Sequence, residues 1–390
     1  MSLMPPIPFK SKLNRVVVGA AILGSVMTMS LTSAQAIETI AREAYLMDFD
    51  TGTVLLNKNG DTLTEPASMT KMMTVHLLFK RIKDGSVSLE NTFHVSEKAW
   101  RKGGSKMFVE VNSDVSVNDL LHGIIVQSGN DAAIVVAEGL AGTEEAFAEE
   151  MTAEARKIGM TKSVFKNATG WPDEEHLVTV HDLAILASDT IRNYPELYKL
   201  YSVKEFTYNG IRQPNRNPLL GTSAGVDGMK TGHTETAGYG LTATADRNGR
   251  RLILVVNGLG SVRERRTESQ KLLDWGFREF DNYDLFDRGE VVSAANVWLG
   301  SEPKVDLVAN QDILLTLPRT NRDNLKVSIV YEGPIPAPIS AGQQIATLKV
   351  ELPNSEPREF PLYAATEVGR LGFIGRIGAA IKYLLWGANG

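Results

Sequence analysis

Ser68 and Lys71 stand three residues apart at the beginning of an apolar stretch, and their side chains are suited to nucleophilic catalysis. Positions i and i+3 share one face of a helix, so a helix starting here would bring the serine hydroxyl and the lysine amine together. A serine hydroxyl is a poor nucleophile until a base takes its proton, and a lysine shielded from water has a lowered proton affinity and can be that base. The alternative is a helix N-terminus with a solvated lysine, since such short patterns also arise by chance.

Two later segments carry further side chains that suit this chemistry. The first, Ser128–Asn130, falls on a short turn between two apolar helical patterns, although Ser, Gly and Asn are also ordinary turn residues. The second, Lys230–Gly232, lies on a strand that leads into a β-hairpin. Three such segments are jointly far more specific than any one of them, and they predict a site that folding assembles from distant parts of the chain.

The elements that must position these residues are indicated by the spacing of apolar residues and by turn residues. Apolar residues cover most of the circumference of the helix after Ser68, which predicts that this helix is buried. His76 lies on it and is expected to be a core residue, because no HExxH or comparable metal-binding cluster accompanies it. Helices are predicted over residues 68–83, 117–126, 131–140, 144–158, 179–194 and 268–280, and strands over residues 44–50, 53–56, 239–245 and 251–258.

Beyond about residue 282 the sequence changes character, because short β-prone runs separated by Gly and Pro turns replace the helical patterns. This part predicts a small all-β module without a convergent cluster of ionisable residues. In the last segment, apolar residues follow helical spacing and are flanked by Arg376 and Lys382, which favours an amphipathic helix lying in a membrane surface. The alternative is a terminal helix docked on its own domain.

The first 36 residues have the features of a secretory signal. Lys10, Lys12 and Arg15 form a basic region, an apolar run covers residues 16–31, and Ala34–Ala36 is a small-x-small cleavage site. The apolar run, about 16 residues long, is shorter than the roughly 20 that a membrane-spanning helix needs, so we favour a signal over a membrane span. Export, with a mature chain beginning at residue 37, is therefore expected.

The composition excludes several kinds of protein. The chain has 390 residues, of which 43% are hydrophobic and 22% charged, as in ordinary globular proteins. Its net charge of −5 gives no global attraction to nucleic acid, so no nucleic-acid partner is expected. It has no cysteine, which rules out disulfides, thiol catalysis and zinc–thiolate sites, and an exported cysteine-free chain of this size suits a bacterial envelope.

The three segments S-x-x-K, S-G-N and K-T-G, in this order, resemble the motifs of serine β-lactamases and penicillin-binding proteins. The chain as a whole resembles the low-molecular-mass penicillin-binding proteins, specifically the serine D-alanyl-D-alanine carboxypeptidases. The resemblance implies an α+β fold: a transpeptidase-like catalytic domain with an antiparallel sheet, helices on both sides and an all-helical cluster, then a small all-β domain and an amphipathic helix. The expected bounds are 1–36 for the signal, 37–281 for the catalytic domain, 282–363 for the β-rich domain and 364–390 for the anchoring helix.

The resemblance also implies roles for the motif residues. Ser68 would attack the carbonyl between the two terminal D-alanines of a peptidoglycan stem peptide, with Lys71 as the base. Ser128 would relay a proton toward the leaving amine, and Asn130 would hold the peptide amide. The backbone N–H groups of Ser68 and His233 would form the oxyanion hole.

The same resemblance places the substrate carboxylate beside a group of cations. Lys230 would bind it, Thr231 would add a hydrogen bond, and Gly232 would let the substrate backbone lie close to the strand. Arg216 and Arg265 match arginines near the family's site, although Arg265 falls in a dense charged run that also suits a solvated turn. No cofactor and no metal are implied.

The sequence departs from class A β-lactamases, since Gly129 replaces their aspartate and no convincing glutamate loop is present to activate a deacylating water. β-Lactams are therefore expected to be covalent inhibitors that are released slowly. The predicted function is peptidoglycan maturation and cell-shape control by a peripherally anchored enzyme on the periplasmic face of the bacterial cytoplasmic membrane. The alternatives are a DD-endopeptidase acting on cross-links with the same residues, and a non-catalytic, membrane-held muropeptide-binding protein.

Residues 221–225 also match G-x-S-x-G, the nucleophile elbow of α/β-hydrolases. That motif needs a strand before it and a helix after it, and neither flanking sequence fits. A glycine-rich loop is predicted there instead.

Overall fold

The computed structural model describes residues 37–351, 356–372 and 375. The described chain forms two compact units, and the division between them falls in sequence between Arg278 and Glu279. The first unit contains all ten residues that the sequence singled out for the site.

The first unit is built on a five-stranded antiparallel sheet with the strand order β2-β1-β9-β8-β7. The predicted hairpin near the N-terminus is confirmed as β1 and β2, and the predicted hairpin at residues 239–258 as β8 and β9. Two short antiparallel pairs, β3 with β4 and β5 with β6, were not predicted. The strands are β1 Glu43–Asp48, β2 Val54–Lys58, β3 Thr92–His94, β4 Asp114–Ser116, β5 Glu205–Tyr208, β6 Ile211–Pro214, β7 Val226–Thr234, β8 Gly238–Arg247 and β9 Arg250–Leu259.

Helices surround this sheet, and most of them agree with the predicted ranges. The charged run around Arg265, for which a solvated turn was the alternative, is part of a long helix that begins at Val262. The helices are α1 Lys71–Lys83, α2 Glu97–Arg101, α3 Val117–Ile125, α4 Asn130–Ala141, α5 Glu144–Lys157, α6 Val180–Asn193, α7 Pro195–Tyr198 and α8 Val262–Glu279.

The two faces of the sheet are both covered by helices. Successive residues of a strand point to opposite faces. Tyr45 of β1 stacks on His181 of α6 at 4.7 Å, whereas a Cβ on Gly276 of α8 would lie 2.9 Å from the side chain of Leu46. Helices α6 and α8 therefore cover opposite faces, as the predicted fold class requires.

The helical cluster has α1 at its centre, because α1 contacts α3, α4, α5 and α6. Nine successive residues of α1, from Lys71 to Phe79, are buried, which confirms the predicted burial. His76 is among them, and its Nδ1 lies 2.9 Å from the hydroxyl of Thr190. It is a core residue with a polar partner, as expected.

The second unit is rich in β-structure, which confirms the predicted all-β module. A six-stranded sheet has the order β14-β16-β17-β12-β11-β15, and β10 pairs with β13. Alternate residues of β12 and β16 are buried, the pattern of strands with one face on a core. The strands are β10 Phe280–Phe286, β11 Val291–Trp298, β12 Lys304–Ala309, β13 Ile313–Pro318, β14 Lys326–Val330, β15 Ile335–Pro336, β16 Gln344–Glu351 and β17 Arg358–Ala364.

Two predictions concern residues that lie wholly or mostly outside the described ones, namely the signal at 1–36 and the anchoring helix at 364–390. Residues 365–372 are described and are not helical. Val368 forms an isolated β-bridge with Ile339, and Arg370 forms one with Gly300. A terminal helix must therefore begin later than the predicted residue 364. In the portion of the chain that the structure describes, no helix has both the length and the apolar character needed to cross a membrane.

Candidate active site

Ser68 lies in a short 3-10 turn, Ala67–Thr70, which we call the serine turn and which runs directly into α1. The α-helix thus begins three residues later than predicted, at Lys71. Ser68 Oγ and Lys71 Nζ are 2.9 Å apart, which is hydrogen-bonding distance. The spacing of the two residues therefore produces the contact that the sequence predicted.

Lys71 is fully buried, and its amine also donates a hydrogen bond of 2.6 Å to the carbonyl oxygen of Thr169. Burial penalises the charged amine and lowers the pKa of Lys71 from 10.5 to about 7, and the positive charge of Arg216 acts in the same direction. Near neutral pH about half of the Lys71 side chains are then uncharged. Such an amine can accept the proton of Ser68.

The Thr169 carbonyl is held in place by a tight loop, residues 167–171. Asn167 Oδ1 accepts hydrogen bonds from the backbone N–H groups of Thr169 at 3.1 Å and Gly170 at 2.8 Å. Gly170 has a φ of +77°, and a Cβ at this position would overlap the carbonyl oxygen of Ala67. The loop and the serine turn therefore pack together through a glycine that no other residue can replace without movement.

The second and third motifs meet at their polar side chains. Lys230 Nζ donates a hydrogen bond of 2.9 Å to Ser128 Oγ, and both residues are 2% exposed. Burial lowers the pKa of Lys230 well below 10.5, and the nearby charge of Lys71 adds to this effect. The contact joins β7 to the turn before α4, so the three motifs do lie around one place.

Asn130 is the first residue of α4 and faces a loop formed by residues 103–109. Its Nδ2 donates a hydrogen bond of 2.8 Å to the carbonyl oxygen of Gly103. The next residue, Asp131, is buried, and its carboxylate accepts hydrogen bonds of 2.8 Å from the backbone N–H groups of Met107 and Phe108. The start of α4 thus fixes this loop beside the site.

The K-T-G segment lies on β7, as predicted. Thr231 is buried, whereas His233 is exposed and its ring lies 3.9 Å from the ring of Tyr239. A Cβ on Gly232 would lie 2.8 Å from the carbonyl oxygen of Pro66, so β7 packs directly on the residue before the serine turn. This contact explains why a glycine is needed at position 232, in addition to the predicted approach of a substrate backbone.

The two arginines both reach the site. Arg265 is only 7% exposed, its Nη1 lies 3.4 Å from the carbonyl oxygen of Gly232, and burial lowers its pKa to about 10. Arg216 Nη1 donates a hydrogen bond of 2.6 Å to the hydroxyl of Ser105. The buried position of Arg265 excludes the solvated turn that its sequence context also allowed.

These residues surround a cleft of about 400 Å³. Among the residues that the structure describes, Lys71, Lys230, Arg216 and Arg265 have no carboxylate within ion-pair distance, and no group of three metal-ligating side chains occurs. The cleft therefore combines a hydroxyl, an adjacent amine that is partly uncharged near neutral pH, and positive charge without a carboxylate partner, an arrangement suited to acyl transfer from an anionic substrate. It is lined by Ser68, Ser105, Ser128, Arg216, Thr231, Gly232, His233, Tyr239, Val262 and Arg265.

Sequence reasoning missed several residues that shape this cleft: Ser105, Asp131, Asn167 and Thr169. Thr169 acts through its backbone carbonyl, which leaves no side-chain signal. The side chains of Asp131 and Asn167 did leave a signal in the sequence. An acidic residue in the first turn of an otherwise apolar helix, and an Asn three residues before a glycine, both suggest side chains that bind backbone N–H groups.

The fold and the cleft define a serine acyltransferase of the penicillin-binding type, and comparison with known proteins specifies the family. The family model for D-alanyl-D-alanine carboxypeptidases (Peptidase S11) matches residues 29–260, and that for the C-terminal domain of penicillin-binding protein 5 matches residues 280–370. The chain belongs to the D-alanyl-D-alanine carboxypeptidase family. It is a serine-type carboxypeptidase with a role in peptidoglycan metabolism.

Similar proteins cover nearly the whole chain. The D-alanyl-D-alanine carboxypeptidase DacC of Escherichia coli K12 is 37% identical over 95% of both chains, and DacA of the same organism is 35% identical over 90% of both. The crystal structure of penicillin-binding protein 5 from Haemophilus influenzae superposes with a TM-score of 0.80 at 36% identity, covering 87% of this chain and 100% of the other. Penicillin-binding protein D2 of Listeria monocytogenes with bound ampicillin has a TM-score of 0.57 at 30% identity, covering 62% of this chain and 98% of the other.

Proposed function

We propose that this carboxypeptidase removes the terminal D-alanine from pentapeptide stems through an acyl-enzyme on Ser68. The observation that supports this most strongly is the 2.9 Å contact between Ser68 Oγ and the buried amine of Lys71. The neutral amine takes the hydroxyl proton as the oxygen attacks the carbonyl between the two D-alanines. The backbone N–H groups of Ser68 and His233 stabilise the oxyanion, and donors of this kind contribute about 3–4 kcal/mol each in comparable enzymes.

The leaving D-alanine needs a proton, and Ser128 is placed to relay one. Its hydroxyl contacts Lys230 Nζ at 2.9 Å. The terminal carboxylate of the substrate lies against Lys230, Thr231 and Arg265, because a buried cation without a carboxylate partner gains most from a bound anion. Arg216 adds positive charge near Lys71 and Lys230, and Asn130 holds the amide of the acyl portion.

β-Lactams form the same kind of adduct on Ser68, since their strained amide replaces the scissile peptide bond. The ampicillin and cefotaxime complexes of the Listeria relative support this part of the proposal. With no glutamate assigned to activate the deacylating water, the penicilloyl adduct is released slowly. Penicillins therefore act as covalent inhibitors of this enzyme.

We also propose where the enzyme works. Residues 1–36 direct export and are removed, and the amphipathic segment from residue 373 onward holds the protein to the periplasmic face of the cytoplasmic membrane. Catalysis is confined to residues 37–281, and residues 282–363 form a separate β-rich domain.

The test is mass spectrometry of the purified protein with a fluorescent penicillin, together with D-alanine release from a diacetyl tripeptide ending in two D-alanines. The wild-type protein should gain the mass of one penicillin on Ser68 and release D-alanine. Ser68→Ala should do neither. A labelled Ser68→Ala protein would refute the assignment of the nucleophile.

A further inference from the structure

Lys102 is a cation beside the cleft without a charged partner in the described part of the chain. Its Nζ lies 4.3 Å from the centre of the Trp171 ring, and no described carboxylate comes within ion-pair distance of it. Lys102 is half-buried, and this burial lowers its pKa although Glu144 acts in the opposite direction. A partly dehydrated ammonium without a counterion is stabilised by an anion that binds to it.

Its neighbour Trp171 is 45% exposed, yet its backbone is firmly held. The Trp171 N–H donates a hydrogen bond of 3.0 Å to Asn167 Oδ1, and the Trp171 carbonyl accepts one of 3.0 Å from Asn167 Nδ2. This belongs to the same loop that presents the Thr169 carbonyl to Lys71. The backbone of Trp171 is therefore held in the loop that contacts Lys71, and its ring, beside Lys102 Nζ, is partly exposed to solvent.

The Lys102–Trp171 pair and the Asn130 side chain both lie close to Gly104. A Cβ on Gly104 would lie 2.8 Å from Asn130 Nδ2 and 3.3 Å from Cζ3 of Trp171. Gly104 thus adjoins both side chains, and a larger residue at this position would crowd them. The next residue, Ser105, lines the cleft itself.

The direction of the substrate follows from the charges at the other end of the cleft. Arg265 and Thr231 would take the terminal carboxylate of the leaving D-alanine. Asn130, proposed to hold the amide of the acyl portion, adjoins Gly103 and Gly104, so the part of the peptide that precedes the scissile bond would leave the cleft past Asn130. It then passes over Gly104 toward Trp171 and Lys102.

We propose that Lys102 and Trp171 form a second recognition site, here called the Lys102–Trp171 shelf, for a carboxylate in the acyl portion of the stem peptide. This inference rests on the proposed function, because it takes the direction of the substrate from it. The Lys102 ammonium pairs with the carboxylate, and the Trp171 ring supports the peptide chain between that carboxylate and the scissile bond. The enzyme is therefore selective for acidic stems over neutral ones of equal length.

The test uses two peptides that end in D-alanyl-D-alanine and differ in one group. The residue before the two D-alanines carries a side-chain carboxylate in one peptide and the isosteric carboxamide in the other. The wild-type enzyme should have a kcat/KM about five-fold higher for the carboxylate peptide, which corresponds to the upper range of a solvent-accessible ion pair. The preference should decline at high salt, because screening weakens such a pair.

Three variants test whether Lys102 causes the preference for the carboxylate peptide. Lys102→Met should reduce the ratio of the two kcat/KM values to about one, and Lys102→Arg should keep it. Arg101→Met is the matched control: it removes a positive charge from the adjacent residue, which pairs instead with Glu97, and should leave the ratio unchanged. Because both peptides are measured with each variant, any general change in the chemistry cancels in the ratio.

The possible results distinguish a failure of the Lys102–Trp171 shelf from a failure of the proposed function. Equal kcat/KM values for the two peptides in the wild-type enzyme would overturn the shelf while leaving the carboxypeptidase mechanism intact. A Lys102→Met enzyme that keeps the full preference would overturn the shelf as well. If the wild-type enzyme releases D-alanine from neither peptide and takes up no fluorescent penicillin, the proposed function itself has failed.

Discussion

The pH dependence of acylation gives the most direct test of Lys71 as the base. Its pKa of about 7 means that roughly a tenth of the side chains are neutral at pH 6 and roughly nine-tenths at pH 8. The active form is the neutral one, so the acylation rate should rise as pH rises through 7. The expected increase between pH 6 and pH 8 is about ten-fold.

The assay is the second-order rate of labelling by a fluorescent penicillin, measured by stopped flow so that only the acylation step contributes. Arg216→Gln removes a positive charge that lowers the pKa of Lys71, so this variant should shift the midpoint of the profile to higher pH. Arg212→Gln is the control, because Arg212 lies on the neighbouring hairpin but is paired with Glu205. A rate that is flat or falls from pH 6 to pH 8, or a midpoint that moves down in Arg216→Gln, would refute the base assignment.

Three further predictions concern the parts that support the site. Asp131→Ala leaves four backbone N–H groups, those of Met107, Phe108, Val109 and Ala132, without their side-chain acceptor and should lower the free energy of unfolding by about 3 kcal/mol in urea denaturation. Asp114→Ala at an exposed carboxylate should change it by less than about 0.5 kcal/mol. Gly170→Ala should abolish penicillin labelling, because its Cβ would displace the serine turn. Gly142→Ala, with a φ of +80° but no atom within 4 Å of its Cβ, should leave labelling unchanged; equal effects of the two substitutions would contradict the steric argument. Deleting residues 373–390 should release the protein from membrane pellets without loss of D-alanine release, and a truncated protein that still sediments with membranes would contradict the proposed anchor.

The sequence predicted local relationships well. Ser68 and Lys71 are close in the chain, so helical geometry alone brings their side chains together. The Lys230–Ser128 contact joins residues 102 positions apart, and only the resemblance of the motifs to a known family suggested that they meet. The helical ranges were also largely correct, because apolar periodicity reports which face of a helix is buried.

Other features left too weak a signal in the sequence. The carbonyl of Thr169 bonds Lys71, but any residue type supplies a carbonyl, so its role depends entirely on the loop that Asn167 shapes. Arg265 stands in a run of charges, and whether one of them is buried depends on which face of α8 meets β7. Tertiary packing decides both, and single-sequence patterns carry little information about it.

Burial lowers the pKa of Lys71 most, and the charge distribution of the cleft helps to keep this pKa low. A carboxylate beside Lys71 would pair with its ammonium form, raise its pKa and leave it protonated at neutral pH. Two acidic residues, Asp131 and Glu144, do raise the proton affinity of Lys71, but both are engaged elsewhere: Asp131 accepts backbone N–H groups, and Glu144 pairs with Lys98 at 3.1 Å. Without a carboxylate partner in the described chain, Lys71 remains surrounded by cations, which destabilise its charged form.

The group of cations around Lys71 opposes folding, because buried cations without partners are unfavourable. It favours catalysis for the same reason, since an incoming carboxylate finds positive charge that no side chain has already neutralised. An acidic residue placed near Lys230 would stabilise the empty protein, yet it would repel the substrate carboxylate and return the proton to Lys71. The unpaired charge is thus a requirement of the chemistry, and the extensive apolar core around α1 offsets its effect on stability.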